Sequence, residues 1–304
     1  MPFYFEKGDL VSTKCDALVN ASNVNLKMVE GVSRAIFHKA GDTLLANACK
    51  AIGHCDVGHA VMTPSFNLTS TKAIIHAVGP IYINGKHGEK KNLISAYNSV
   101  FSICEKNNFK TIAFPLLSGE FNYPLDECYL IAEKTIKDFL AKHNDYTIYM
   151  VLFKNYPNAL DDETQLKLTR YIYANYKAST AEVDNSIKDN DAFINVLKAI
   201  QNKKGISDDE LAFNSNVLKS DLLALYNDSH KLPTLNFVHA LAIGLKASEE
   251  EFYSLTKAVG VKVNTNDLEA LICLFFITNS IHDIFIINRA MFNYNLPPLG
   301  SKLF

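Results

Sequence analysis

"ALVNASNVNLKMVEGVSRAI" (residues 17–36) runs from an apolar segment into two asparagines three apart. It then crosses a mixed stretch to Gly31, after which apolar residues return at helical spacing. The run "ALVN" (17–20) reads as a strand and "VSRAIFHKA" (32–40) as a helix, so this is a strand giving way to a helix. The same alternation extends to both sides. Runs rich in β-branched and aromatic residues stand at "PFYFE" (2–6), "HAVMT" (59–63), "KAIIHAV" (72–78), "TIAFPLL" (111–117) and "YTIYMVLF" (146–153). Helix-period segments separate them at 32–40, 42–52, 89–107, 125–143 and 161–176. Such alternation implies an α/β unit with a largely parallel sheet covered on both faces.

Residues 178–191, "ASTAEVDNSIKDND", are small and polar in the manner of a linker. From Ala192 onward the periodicity is helical, with helices expected at 191–203, 208–214, 217–227, 234–245, 248–259, 266–278 and 282–293. A chain of 304 residues accommodates two cores. The organisation expected is therefore an α/β domain over 1–178, a linker over 179–190 and a smaller all-α domain over 191–304.

No apolar stretch reaches the roughly 20 residues of a membrane span, and "MPFYFEKGDL" has neither the basic flank nor the apolar run of a signal peptide. The six cysteines are scattered, without a C-x-x-C pair, and read as reduced thiols of a cytoplasmic protein. "GHCDVGH" (53–59) has a trace of metal-site spacing but lacks a fourth ligand nearby, so no metal or cofactor is expected. Lys and Arg number 19 against 18 Asp and Glu up to residue 183, and 11 against 14 beyond it. Neither part is the basic body that binds nucleic acid through many phosphates.

In an open parallel sheet, ligands bind beyond the carboxyl ends of strands. Asn20 ends one strand, Asn23 lies just past it, and Gly31 precedes a helix start suited to phosphate. "LLSGEFNYP" (116–124) repeats this character after another strand. Two such loops side by side would grip a diphosphate.

"GDLVSTKCDALVNASN", "GVSRAIFHKAG", "GHAVMTPSFNL", "IIHAVGP" and "FPLLSGEFNYP" follow one another in the order and spacing of the macrodomain family, which this chain resembles over residues 3–176. The resemblance implies a three-layer fold with a mixed, largely parallel central sheet. It also implies binding of ADP-ribose or an ADP-ribosylated protein, with hydrolysis of ADP-ribosyl linkages or of the acetyl ester of O-acetyl-ADP-ribose. It casts Asp9 as the acceptor for the adenine amino group, with Leu10 beside it, and Asn23 as the amide set against the distal ribose. Asn20, Gly31 and Val32 would line the first loop and Ser118, Gly119, Glu120 and Phe121 the second. Phe153 would stack on adenine, with Tyr156 able to share that task. Taken alone, Asp9 and Asn23 read equally well as turn residues and Phe153 as core.

The chain departs from the family where glycines are usual: Met28, Val29 and Glu30 precede Gly31, and Ser33 takes the place of the water-activating aspartate. A glutamate about 4 Å from a phosphate charge would repel it by roughly 4 kcal/mol at an effective dielectric near 20. Glu30 must therefore face solvent or reach the distal ribose, where it could act as a base. Asn23, Glu30 and Ser33 are the catalytic candidates, and a non-catalytic reader or sensor of ADP-ribose is the alternative. His76, in an apolar strand, reads as a hydrogen-bonded core histidine.

Residues 191–261 resemble the λ-repressor-like helix-turn-helix fold, with 208–214 and 217–227 as scaffold and recognition helices and a helical extension after them. The stretch "SNVLKSDLLALYND" (215–228) around the second of these offers Asn216 and Lys219 but also Asp221 and Asp228. This points to a protein partner or self-association through 191–304 rather than to DNA.

Overall fold

The computed structural model describes residues 2–119, 121–152, 160–176, 190–227, 232–263 and 266–301. The chain divides into two compact units: Phe5–Pro157, and Asn158–Phe304 together with Met1–Tyr4.

The sheet is built from β1 (Phe3–Lys7), β2 (Ala17–Ser22), β3 (Ala60–Pro64), β4 (Ala73–Val78), β5 (Thr111–Phe114) and β6 (Thr147–Leu152), in the order β1-β6-β5-β2-β4-β3. β2 runs parallel to both β4 and β5, and β5 parallel to β6, while β3 pairs antiparallel with β4. The register sets Leu18 beside Ile74 and Ala113. These three face the helices α1 (Val32–Ala40) and α2 (Asp42–Ile52) and pack with Ile36, Phe37, Leu45 and Cys49. Alternation along β5 turns Phe114 to the other face. There it meets Tyr97 and Phe101 of α3 (Glu89–Lys106) at centroid distances of 5.4 and 5.8 Å. Phe101 in turn stacks on Phe139 of α4 (Leu125–Leu140) at 4.0 Å. Each such buried aromatic contributes on the order of 2 kcal/mol of transfer free energy.

This arrangement fixes the place of a site. The chain leaves β2 toward β4 under α1 and α2, but leaves β5 toward β6 under α4 on the opposite face. The switch point therefore falls between the neighbouring strands β2 and β5, and a sheet of this topology takes its ligand outside the carboxyl ends of those strands.

The second unit is helical: α5 (Asp162–Asn175), α6 (Asn190–Lys204), α7 (Asp208–Asn214), α8 (Lys219–Asn227), α9 (Leu235–Gly244), α10 (Glu249–Ala258), α11 (Leu268–Thr278) and α12 (Ile284–Asn293). The division at Pro157 differs from the boundary at 178 expected from the sequence. The reason is that α5 packs against α11, Tyr171 meeting Phe275 at 5.5 Å, and reaches α12 through Thr169 and Tyr294. α7 and α10 open with reciprocal capping boxes, Ser207 with Glu210 and Ser248 with Glu251. Asn216 is fully buried, and both ends of its amide are bonded to the backbone of Phe3 within this unit. Lys219 is paired with Asp209 at 2.8 Å. Among the described residues no helix is long and apolar enough to cross a membrane.

Candidate functional site at the carboxyl ends of β2, β4 and β5

Three loops leave the same end of three neighbouring parallel strands: 23–31 after β2, 79–88 after β4 and 115–124 after β5. In the first, the Asn23 side chain is spent on its own loop. Its Oδ1 accepts from the backbone N–H groups of Asn25 (3.1 Å) and Lys27 (3.3 Å), and its Nδ2 donates to Lys27 O at 2.7 Å. Asn23 thus shapes the loop rather than presenting a free amide. Leu26 is buried at φ +55°, and Met28 turns toward α1 and α2, where it lines a cavity of about 520 Å³ with Phe37, Ala46 and Cys49.

Gly31 then opens α1 at φ +77°, ψ −135°, a conformation open to glycine alone, and no side chain caps the first turn. The first-turn N–H groups of α1, with half-buried Val32 first, thus have no side-chain cap among the described residues. Glu30 is exposed and forms an ion pair with Arg34 at 2.8 Å. Ser33 is buried and its Oγ accepts from Val29 N–H at 3.4 Å, so it serves the loop instead of facing solvent.

The second wall follows β5. Leu117 N–H donates to the Tyr97 hydroxyl at 3.3 Å and the Cys128 thiol to Leu117 O at 2.9 Å, which anchors the loop from below. Ser118 adopts φ +63° and is buried against Gly79, where a Cβ would collide with its Oγ. That hydroxyl has no partner among the described residues. Gly119 N–H turns back to Leu116 O and Phe121 N–H to Ser118 O, so these two amides close the turn. Glu120, Phe153 and Tyr156 lie outside the described residues.

Asp9 is exposed beside the end of β6, where Gly8 N–H donates to Leu152 O. It caps a 3₁₀ turn, Leu10–Ser12, by accepting from Val11 N–H at 3.2 Å, and Leu10 is buried in the core. Asn20 is fully buried beneath the first loop and donates to His76 Nδ1 at 3.1 Å. A ring nitrogen that accepts there carries no proton, so Nε2 holds it and faces Thr63 Oγ1 at 2.9 Å. Burial lowers the His76 pKa to about 4.

Three features were not read from the sequence: the Glu30–Arg34 pair, Asn20 and Thr63 as the partners of the core histidine His76, and the carboxylate of Glu89. The i,i+4 spacing of Glu30 and Arg34 at a helix start was the one signal available for the first. Glu89 is buried, and its two oxygens accept from the backbone N–H groups of Ile83, Asn84, Gly85 and His87 at 2.6–3.3 Å. Burial alone would raise its pKa, but backbone donors, its own N–H and those of His87, Asn84 and Ile83, outweigh it and hold the group at about 2.

A Macro domain sequence profile matches residues 19–132. The O-acetyl-ADP-ribose deacetylase of Salmonella gallinarum is 42% identical over 142 residues, which is 45% of this chain and 78% of the relative. A macro domain-containing protein of Caldanaerobacter subterraneus subsp. tengcongensis is 40% identical over 49% of this chain and 87% of its own length. For the O-acetyl-ADP-ribose deacetylase of Klebsiella pneumoniae the values are 37%, 56% and 94%. With a mixed six-stranded sheet and identities of 37–42% over most of these relatives' own length, the chain belongs to the macrodomain family.

Proposed function

We propose that the macrodomain unit binds ADP-ribose and hydrolyses a bond at its distal ribose, either the acetyl ester of O-acetyl-ADP-ribose or an ADP-ribosyl linkage on a protein. The observation that carries this reading is the uncapped first turn of α1 at the switch point of the sheet, with the Ser118 loop as the neighbouring wall. Unpaired amides and a helix dipole there balance a diphosphate. The relatives named as O-acetyl-ADP-ribose deacetylases support the hydrolytic half. Asp9, exposed beside the end of β6, supplies the carboxylate for an exocyclic amine, and Asn23 holds the loop that frames the sugar.

A second reading, a reader without turnover, is favoured by one feature. At the position of the family's water-activating aspartate stands Ser33, buried and bonded to Val29, and the adjacent carboxylate of Glu30 is engaged by Arg34. Calorimetry with ADP-ribose and release assays on O-acetyl-ADP-ribose and on ADP-ribosylated protein separate the two. Binding with turnover on either substrate is the expected result. Binding without turnover establishes the reader, and no binding refutes both.

The helical unit fits a protein-binding or self-association module. Asn216, just before α8, is spent internally and Lys219 is paired with Asp209, which leaves the start of α8 little with which to meet a duplex. Six free thiols accord with a cytoplasmic setting.

A further inference from the structure

The Glu89 carboxylate belongs to no wall of the candidate site, yet it is the hub of a chain of contacts that ends there. Four backbone donors of segment 83–87 converge on it, Lys86 N–H turning instead to Asn84 Oδ1, which is the geometry of a backbone anion nest whose anion is the protein's own side chain. Gly85, held at 3.2 Å from Oε1, adopts φ +77° and lies under Tyr82, since a Cβ at Gly85 would stand 3.2 Å from the Tyr82 hydroxyl. Tyr82 makes two contacts with the loop after β5. Its N–H donates to Phe121 O at 3.0 Å, and its ring packs on Tyr123 at 4.8 Å. That loop carries Asn122 at φ +59°, which asparagine tolerates, and Ser118 at φ +63°, which for serine persists only where neighbours impose it.

We propose that Glu89 is a positioning residue for the ligand site: it fixes segment 83–87, through it Tyr82, and through Tyr82 the Ser118–Phe121 turn against which a diphosphate would rest. The ligand half of this statement rests on the ADP-ribose reading above; the coupling between the two loops does not.

Glu89→Gln is the informative variant. It keeps the shape but removes the charge, and it sets an amide N–H₂ against a backbone N–H. Hydrogen exchange of the ligand-free protein is measured over 79–88 and 114–123, followed by calorimetry with ADP-ribose and with adenosine, which has no diphosphate. Exchange is expected to rise about tenfold in both segments while β2 and α1 are unchanged. The dissociation constant for ADP-ribose is expected to rise about tenfold and that for adenosine to stay within about twofold, as for loss of one charge-assisted contact. Lys86→Ala, which alters an exposed side chain of the same segment, leaves all these values as in the parent. If Glu89→Gln does not fold, Glu89→Asp gives the same pattern at smaller amplitude. Exchange that rises over 79–88 but not over 114–123, or an equal loss of affinity for both ligands, overturns the proposal. Should the unaltered protein bind no ADP-ribose, the functional reading falls, and the exchange data still decide the coupling.

Discussion

Acidification should unpick the network beneath the first loop before it touches the carboxylates. In the native state His76 is neutral, its Nδ1 occupied by Asn20 and its Nε2 by Thr63, and burial lowers its pKa from 6.5 to about 4. The unfolded chain titrates near 6.5, so below that pH the unfolded state binds a proton that the native state refuses. Stability is therefore full above pH 6.5 and falls as pH drops toward 4. Integrated to pH 4.5, the difference is about 2.5 kcal/mol, the equivalent of nearly two pKa units at 1.36 kcal/mol each. Urea denaturation of the parent and of His76→Gln at intervals from pH 8 to 4.5 isolates this contribution. Glu89 and Asp16, whose folded pKa values lie near 2, lose stability only below about pH 4.5 and affect both proteins alike. The parent's advantage over His76→Gln should shrink by about 2.5 kcal/mol across this window. An advantage constant from pH 8 to 4.5 would show that His76 titrates normally and is not the buried pin of Asn20.

Gly79→Ala places a methyl group against Ser118 Oγ and should cost about 1–3 kcal/mol of stability in urea, with weaker ADP-ribose binding as the loop shifts. Unchanged stability would mean that the contact relaxes freely. Asp9→Asn keeps an oxygen for Val11 N–H but removes the charge. The ADP-ribose dissociation constant should rise about tenfold or more by calorimetry with little change in melting temperature, and equal affinity would remove Asp9 from the adenine site. Glu30→Gln breaks an exposed pair and should alter stability by less than about 1 kcal/mol. ADP-ribose affinity and turnover should hold as well, and a fall in turnover alone would restore Glu30 as a base.

Periodicity located the elements well where local signals end them. α1 and α2 run to the glycines that stop them, Gly41 at φ +99° and Gly53 at φ +85°. Where a turn has no such signal the bounds moved. The recognition-type helix expected from 217 starts at Lys219, because Asn216 stands at φ +56° and Val217 N–H returns to Ala212 O. β5, expected to 117, stops at Phe114 because Pro115 has no N–H for the ladder. At the site, the sequence indicates which residues lie at strand ends but not how their polar atoms are used. Asn23 turned on its own loop, Ser33 buried under Val29 and Glu89 closed around by four amides all depend on loop φ and ψ. No spacing rule encodes those.

The bulky residues in the first loop lose much of their force as an objection once the backbone is considered residue by residue. Glycine is needed where φ is positive or where a Cβ would meet the ligand. Of residues 28–31 only Gly31 has positive φ, so Met28, Val29 and Glu30 carry no strain of that kind. Two of the three side chains also have places of their own. Met28 lines the cavity toward α2, and Glu30 is drawn onto Arg34, one turn along α1. The pair is neutral as a whole, so the repulsion of roughly 4 kcal/mol that a bare glutamate would exert at contact distance is largely cancelled. On the proposed reading the loop can therefore discard three glycines and still serve an anion, because the amides that would meet it belong to α1 and the one conformation they require is supplied by Gly31.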